Sequence, residues 1–368
     1  MERNFLEDLF DSYTAACKDI SSHREQESKH WKDRNSFFRS KYYNENLHDL
    51  SLLKNFRFDK SLSKGLDDAL VIEDIPNTFF RLLKEVGEET VFSNLSKKNI
   101  GNCNRTLKID NKHIEYNELF QIYVYDQLNK SIFSKDKVSS VCEIGGGYGS
   151  LTRILKSNHD ATYILIDLPE ANLLSSYYLH ENFKGEGKKF LLYNQVKNRQ
   201  ISKNMIDSYD FIIIPPWLVF DDDIKIDLFI NSRSMMEMNM EVIINYFHLI
   251  QSHVRDNGYF LNINRYQKKT VGMPIDLVEY PYDKKWEVLV SKKTIFFNHI
   301  HFLLTQRKNP VEKSIQKELQ ELKQESKKYI PNPILIGLKK LTRSILLNLF
   351  PRSFLKKAKS FLLSVDPE

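Results

Sequence analysis

Val141-Cys142-Glu143-Ile144-Gly145-Gly146-Gly147-Tyr148-Gly149 reads as the end of an apolar strand that turns through glycines into a helix. Without side chains at Gly145, Gly147 and Gly149, the backbone can approach a ligand closely. The helix that follows points the positive end of its dipole at that ligand. Outward from this run the chain alternates. The pattern predicts strands over 138–144 and 162–168, helices over 149–157 and 170–183, and buried strands over 210–215, 226–230 and 258–263. A helix over 240–254 precedes the last of these. Residues 190–193 are open between strand and loop. Strand–helix alternation calls for a parallel sheet with crossover helices. Two β-rich runs, 286–295 and 299–306, joined by a short connection, predict an antiparallel hairpin at its end.

The loop admits two ligands. A dinucleotide fingerprint needs G-x-G-x-x-G, and the sixth position counted from Gly145 is Ser150. With the acid Glu143 shortly before the first glycine, the run instead resembles the loops of S-adenosylmethionine-dependent methyltransferases. Their cofactor brings an amino-acid moiety and a sulfonium charge in place of a pyrophosphate. A buried cap for the loop backbone is the plainer role for Glu143. Asp167, twenty residues after Gly147 and ending a strand, is placed to accept hydrogen bonds from both ribose hydroxyls, or else to cap the helix beginning near Pro169. Trp217, in Pro215-Pro216-Trp217 after the third strand, stacks on adenine or packs in the core. The expected cofactor is therefore S-adenosylmethionine, held by Glu143, Gly145, Gly147, Gly149, Asp167, Leu168, Pro216 and Trp217.

Composition narrows the class. Of the net charge of +6, a tail from residue 331 supplies seven basic side chains against two acidic ones, leaving a body near neutrality. That distribution argues against a nucleic-acid enzyme. Three cysteines, Cys17, Cys103 and Cys142, without metal-ligand spacing fit a reducing, cytoplasmic setting. Acids at Glu2, Glu7 and Asp8 are unlike an export signal, and the longest apolar run, 211–220, falls short of the roughly 20 residues needed to span a bilayer. The expected organisation is a helical cap and connector over 1–133, a cofactor-binding domain over 134–308, a charged helix or linker over 309–330 and a basic amphipathic tail over 331–368.

Separated motifs then resemble the bacterial sugar O-methyltransferases associated with surface-glycan genes. They are Leu53-Lys-Asn-Phe-Arg57 with Gly65-Leu66-Asp67, Gly101-Asn102, Glu143 to Gly149, Asn231 to Met238, and Leu261-Asn-Ile-Asn-Arg265. The likeness covers about residues 30 to 307, and Cys103 stands where proline is expected. It implies a Rossmann-like class I methyltransferase sheet, mostly parallel with a C-terminal antiparallel hairpin, under an N-terminal helical cap and followed by a basic helical tail. It also implies a sugar or glycan acceptor, with Glu237 as catalytic base.

The spacing of Ser234 and Glu237 equally suits a capping box for the helix from about residue 240. His248 is the second candidate base. Asn231, Ser234, Asn264 and Arg265, at the ends of the fourth and fifth strands, are candidates to meet sugar hydroxyls or an acidic sugar carboxylate. No cluster has persuasive metal-ligand spacing, and Asp221-Asp222-Asp223 reads as a solvated loop. Ile315, Leu319, Leu322 and Tyr329 give either a solvated helix packed by one stripe or a homodimer contact. Apolar residues every three or four positions from Ile334 to Leu349, interleaved with cations, fit contact with an anionic inner membrane leaflet, or a helix covering the protein's own core. Methylation of another hydroxylated metabolite and an inactive scaffold for glycan machinery are the alternative functions.

Overall fold

The computed structural model describes residues 5–23, 31–32, 35–36, 39, 53–57, 68–104, 106–109, 112–196, 200–268 and 273–326, with 68–74 described by backbone alone. The basic tail, Tyr329 and the Gly65-Leu66-Asp67 motif lie outside them. In chain order the helices are α1 (Phe5–Asp19), α2 (Asp68–Val86), α3 (Glu88–Asn94), α4 (Tyr116–Leu128), α5 (Ser150–Asn158), α6 (Pro169–Asn182), α7 (Lys203–Ser208), α8 (Met240–His253) and α9 (Ile315–Ser326). The strands are β1 (Thr106–Ile109), β2 (Lys112–Glu115), β3 (Ser140–Ile144), β4 (Thr162–Ile166), β5 (Phe190–Leu192), β6 (Gln200–Ile201), β7 (Phe211–Ile214), β8 (Val219–Phe220), β9 (Ile226–Ser232), β10 (Val254–Arg265), β11 (Gln267–Lys268), β12 (Ile275–Asp276), β13 (Trp286–Lys293) and β14 (Ile300–Arg307).

Eight strands form the central sheet in the order β13-β14-β10-β9-β3-β4-β7-β5. From β10 through β5 every pairing is parallel, while β14 runs antiparallel to both β10 and β13. This is the mostly parallel, hairpin-closed sheet of a methyltransferase-like α/β fold. The open segment 190–193 resolves as an edge strand, β5, beyond β7. From β3 the chain builds outward to β4, β5 and β7, then returns to lay β9 on the other side of β3. The order therefore reverses between β3 and β9, and a crevice opens outside the carboxyl ends of the strands at such a reversal.

Strand alternation sorts the core onto two faces. Val141, Leu165, Ile213, Leu261 and Ile263 share one apolar cluster with Phe120 and Leu128 of α4. Cys142, Ile164, Ile212 and Phe260 join the other, with Val242, Ile243 and Phe247 of α8. Leu9, Phe10, Ile75 and Val91, from α1 to α3, belong to the first cluster, so the N-terminal helices close one face of the sheet. Ile315 and Leu322 of α9 are buried with Leu319 packed beside the second cluster, the one-stripe packing of a surface helix. None of the helices, among the described residues, is long and apolar enough to cross a membrane.

Candidate functional site

The glycine run lies at the sheet reversal. Gly145, Gly147 and Gly149 adopt φ values of +73°, +58° and +85°, left-handed backbone that a side chain disfavours. They differ in what lies above them. A Cβ on Gly145 would sit 2.1 Å from Ser234 Oγ, whereas one on Gly147 would meet nothing within 4 Å. The loop is packed against the protein at its first glycine and opens on free space at its second.

Asp167 fastens the loop to the end of β4. Its Oδ2 accepts from Gly147 N at 2.8 Å and its Oδ1 from Leu168 N at 2.8 Å. Leu168, not Asp167, is the N-cap of α6, with Pro169 in the first turn, so the capping alternative gives way to loop fastening. Burial, ahead of the opposing backbone bonds, raises Asp167 to about 6, and the charge of Glu237 adds to the rise. Glu143 is buried beneath the loop and accepts a 2.5 Å hydrogen bond from Thr152 Oγ1 of α5. Desolvation pushes its carboxyl up to about 7. Burial thus holds both acids above the usual carboxylate range, and hydroxyl donors or a cation close by would draw them back down.

Trp217 is spoken for. Its indole stacks on His23 at 5.1 Å and its Nε1 donates to Tyr193 Oη at 3.0 Å, with Tyr193 donating on to Asp19. The half-buried ring thus belongs to an aromatic cluster with the end of the first helix, and one face is covered. Pro216 is half-buried in the turn before it.

On the acceptor side, Asn231, Asn262 and Asn264 are all fully buried. Asn231 Nδ2 donates to Ile144 O at 3.0 Å and to Ser234 Oγ at 2.6 Å, and its Oδ1 accepts from Met235 N at 3.1 Å. Asn264 Nδ2 donates to Asn231 Oδ1 at 2.9 Å and Asn262 Oδ1 at 2.6 Å, and its Oδ1 accepts from Met236 N at 3.0 Å. Every polar end of the two amides is engaged within the protein. Asn231 and Asn264, expected to meet acceptor hydroxyls, here hold the turn Met235–Glu237. Ser234 Oγ donates to Ile144 O at 3.0 Å and packs on Gly145, so it too is a loop support.

Glu237 closes that turn, half-buried, with its charge felt by Asp167 and by Arg233. Helix α8 is capped separately by Asn239 without a side-chain cap bond, which removes the capping-box reading of Ser234 and Glu237. His248 is exposed on the face of α8 opposite its buried Val242, Ile243, Tyr246, Phe247 and Ile250. A base must reach its proton, and His248 stands on the solvent side of α8, away from the turn that carries Glu237. Arg265 is half-buried at the end of β10, its Nε enclosed without a hydrogen-bond partner. Asp222 and Asp223 are exposed, as a solvated loop requires.

Sequence reading missed a polar chain joining cap to loop. Arg57 forms an ion pair with Glu115, which also accepts from Tyr148 Oη at 3.1 Å; Asn117 Nδ2 donates to Tyr148 Oη at 3.1 Å, and Arg233 donates to Asn117 Oδ1. Two of the resemblance motifs meet here, since Arg57 N donates to Gly101 O at 2.8 Å and Asn102 Nδ2 to Asn55 Oδ1 at 2.9 Å. Cys103 N donates to Asn99 Oδ1 at 2.9 Å, a bond that proline in its place could not make. Lys268, buried with its Nζ on Met238 O, supports the far side of the turn. For Asn262 a signal was present, because Asn262 and Asn264 fall two apart in an apolar strand and so share a face. For Arg57 and Glu115, 58 residues apart, there was none.

No protein-family model matches the chain, and no curated protein matches it. Among solved structures, it is similar to the magnesium protoporphyrin IX methyltransferase of Synechocystis PCC 6803, at 12% identity and a TM-score of 0.34 over 67% of this chain and 99% of that one. It is also similar to an amino pentose methyltransferase of Micromonospora echinaspora, at 8% identity and a TM-score of 0.33 over 51% of this chain and 90% of that one. Those likenesses are too distant to bear on activity.

Proposed function

We propose that this chain transfers a methyl group from S-adenosylmethionine to a hydroxyl of a sugar in a surface polysaccharide or its precursor. The observation that carries the reading is the joint between Asp167 and the glycine loop, with open space above Gly147 and the Glu237 carboxylate within electrostatic reach of Asp167. When bound, the donor supplies an electrophilic methyl on a sulfonium centre. Asp167 takes the ribose hydroxyls on lone pairs left beside its two backbone bonds, and Glu143 offers negative charge beneath the loop. Glu237 receives the acceptor hydroxyl's proton as the oxygen becomes nucleophilic. The asparagine-held turn fixes the direction of its carboxylate. The resemblance in motif order supports a sugar as acceptor, and the basic tail supports contact with an anionic leaflet carrying lipid-linked glycan.

Titration calorimetry tests the first half. Wild type should bind S-adenosylmethionine and Asp167→Ala should lose at least tenfold in affinity; a wild type that does not bind ends the reading. Glu237→Gln should keep the affinity and lose about a hundredfold or more in turnover with glycan extract as acceptor. Mass spectrometry of surface glycan from cells lacking the gene should show one missing methyl.

A further inference from the structure

Among the described residues, most arginines drawn inward take carboxylates. Arg39 pairs with Glu170, Arg57 with Glu115, Arg153 with Glu118, Arg255 with Asp136 and Asp227, and Arg307 with Asp283. Two half-buried arginines break the pattern, and both stand at the carboxyl ends of the strands beside the crevice. Arg265 ends β10, and among the described residues its guanidinium has neither an ion pair nor a hydrogen-bond partner, although its Nε is enclosed. Arg233 follows β9 at φ +63°, and its Nε is likewise enclosed without a partner among the described residues. Among the described residues, its guanidinium makes one hydrogen bond, the neutral one to Asn117.

The two frame one patch. The Arg233 guanidinium lies 4.4 Å from the centre of the Phe120 ring and 5.9 Å from that of Phe297, and Phe297 lies 5.9 Å from the His299 ring. His299 is held toward its neutral form by burial and then by the charge of Arg265. Arg265 shares a strand face with Leu261 and Ile263, whose cluster contains Phe120 and packs Phe297. Ser232, in register with Ile263 on that face, has a buried Oγ without a partner among the described residues. The carboxylates in electrostatic reach of Arg233 are Glu237 and Glu115, and Glu115 already takes Arg57 and Tyr148. Burying a guanidinium nitrogen without a hydrogen-bond partner costs free energy, and the planar fork of the group fits a carboxylate or phosphate.

We infer that the acceptor carries an anionic group, a carboxylate or a phosphate, beside the hydroxyl that is methylated, and that Arg265 and Arg233 hold it over the Phe297 and His299 patch. The inference rests on the methyl-transfer reading for its geometry but is tested apart from it. Binding of glucuronate, glucose 6-phosphate and neutral glucose to the full chain would be measured by calorimetry with S-adenosylhomocysteine present. At least one anion should bind about tenfold or more tightly than glucose, and the tighter of the two identifies the group. Arg265→Gln should lose about tenfold of that affinity, and Arg265→Lys should recover part of it while tightening less on phosphate geometry than arginine. Cofactor affinity of each variant checks that it is folded. Equal affinity for glucose and both anions, absence of saturable binding by either anion, or an Arg265→Gln variant that binds them like wild type overturns the inference. A wild type that fails to bind S-adenosylmethionine overturns the methyl-transfer reading instead.

Discussion

Gly145 and Gly147 share a left-handed backbone, yet their surroundings predict different consequences for the same substitution. Gly147→Ala adds a side chain into open space, so only the conformational cost of about 1 kcal/mol applies, with cofactor affinity reduced where the side chain intrudes. Gly145→Ala must also displace Ser234, whose Oγ would lie 2.1 Å away, and should cost about 3 kcal/mol. Urea unfolding of the two variants measures the difference. The buried acids set a pH dependence of their own. Because burial raises Glu143 to about 7 and Asp167 to about 6, the folded state holds protons that the unfolded chain has released. Their contribution to stability is present below the ordinary carboxylate range and is lost as pH rises through about 6 to 7. Glu143→Gln should flatten the fall in unfolding free energy between pH 5 and pH 8. Binding of a sulfonium cation near pH 6.5 should also release protons from wild type, seen as a buffer-dependent heat that the variant reduces.

At the scale of elements, the turn Met235–Glu237 is held by side chains from two neighbouring strands rather than by the helix after it. Removing one amide leaves several groups without partners. Asn264→Ala strands Met236 N and Asn262 Oδ1 of their bonds to that side chain and leaves Asn231 Oδ1 with Met235 N alone, at roughly 1–3 kcal/mol for each buried group left unsatisfied. It should lower turnover more than cofactor affinity, since the loop fastened by Asp167 stays in place; steady-state kinetics beside calorimetry reads the split. His248→Ala, on the exposed face of α8, should leave turnover and its pH profile unchanged, and a large loss would return His248 to the list of bases. The main strands and helices were legible in the residues, mostly within two positions, though β10 begins four residues before its expected start, because alternation and helical spacing are local signals. The roles of Asn231 and Asn264 were not. Their place at strand ends was readable, but whether an amide faces the crevice or its neighbours depends on which strand lies beside it.

For the whole molecule, the cap and the sheet share one apolar cluster, with Leu9, Ile75 and Val91 packed in the same core as Leu165 and Ile263. Calorimetry should therefore give a single unfolding transition for cap and sheet together, and two separated transitions would contradict a shared core. Breaking the largely buried pair of Arg57 and Glu115 by Arg57→Ala should destabilise that whole unit by about 3 kcal/mol. The basic tail makes a separate prediction. Full-length protein should float with anionic vesicles, and a chain ending near Lys328 should not. By itself the sequence determined the order of strands and helices, the glycine turn at the end of β3 and the acid at the end of β4, because each follows from spacing along a few residues. Only the tertiary structure decided that Asn231 and Asn264 face each other, that Trp217 is covered by His23, and that Arg233 and Arg265 stand without carboxylates beside one aromatic patch. Those outcomes turn on contacts between segments far apart in the chain, and no local pattern encodes which distant side chain arrives to satisfy a charge or an amide.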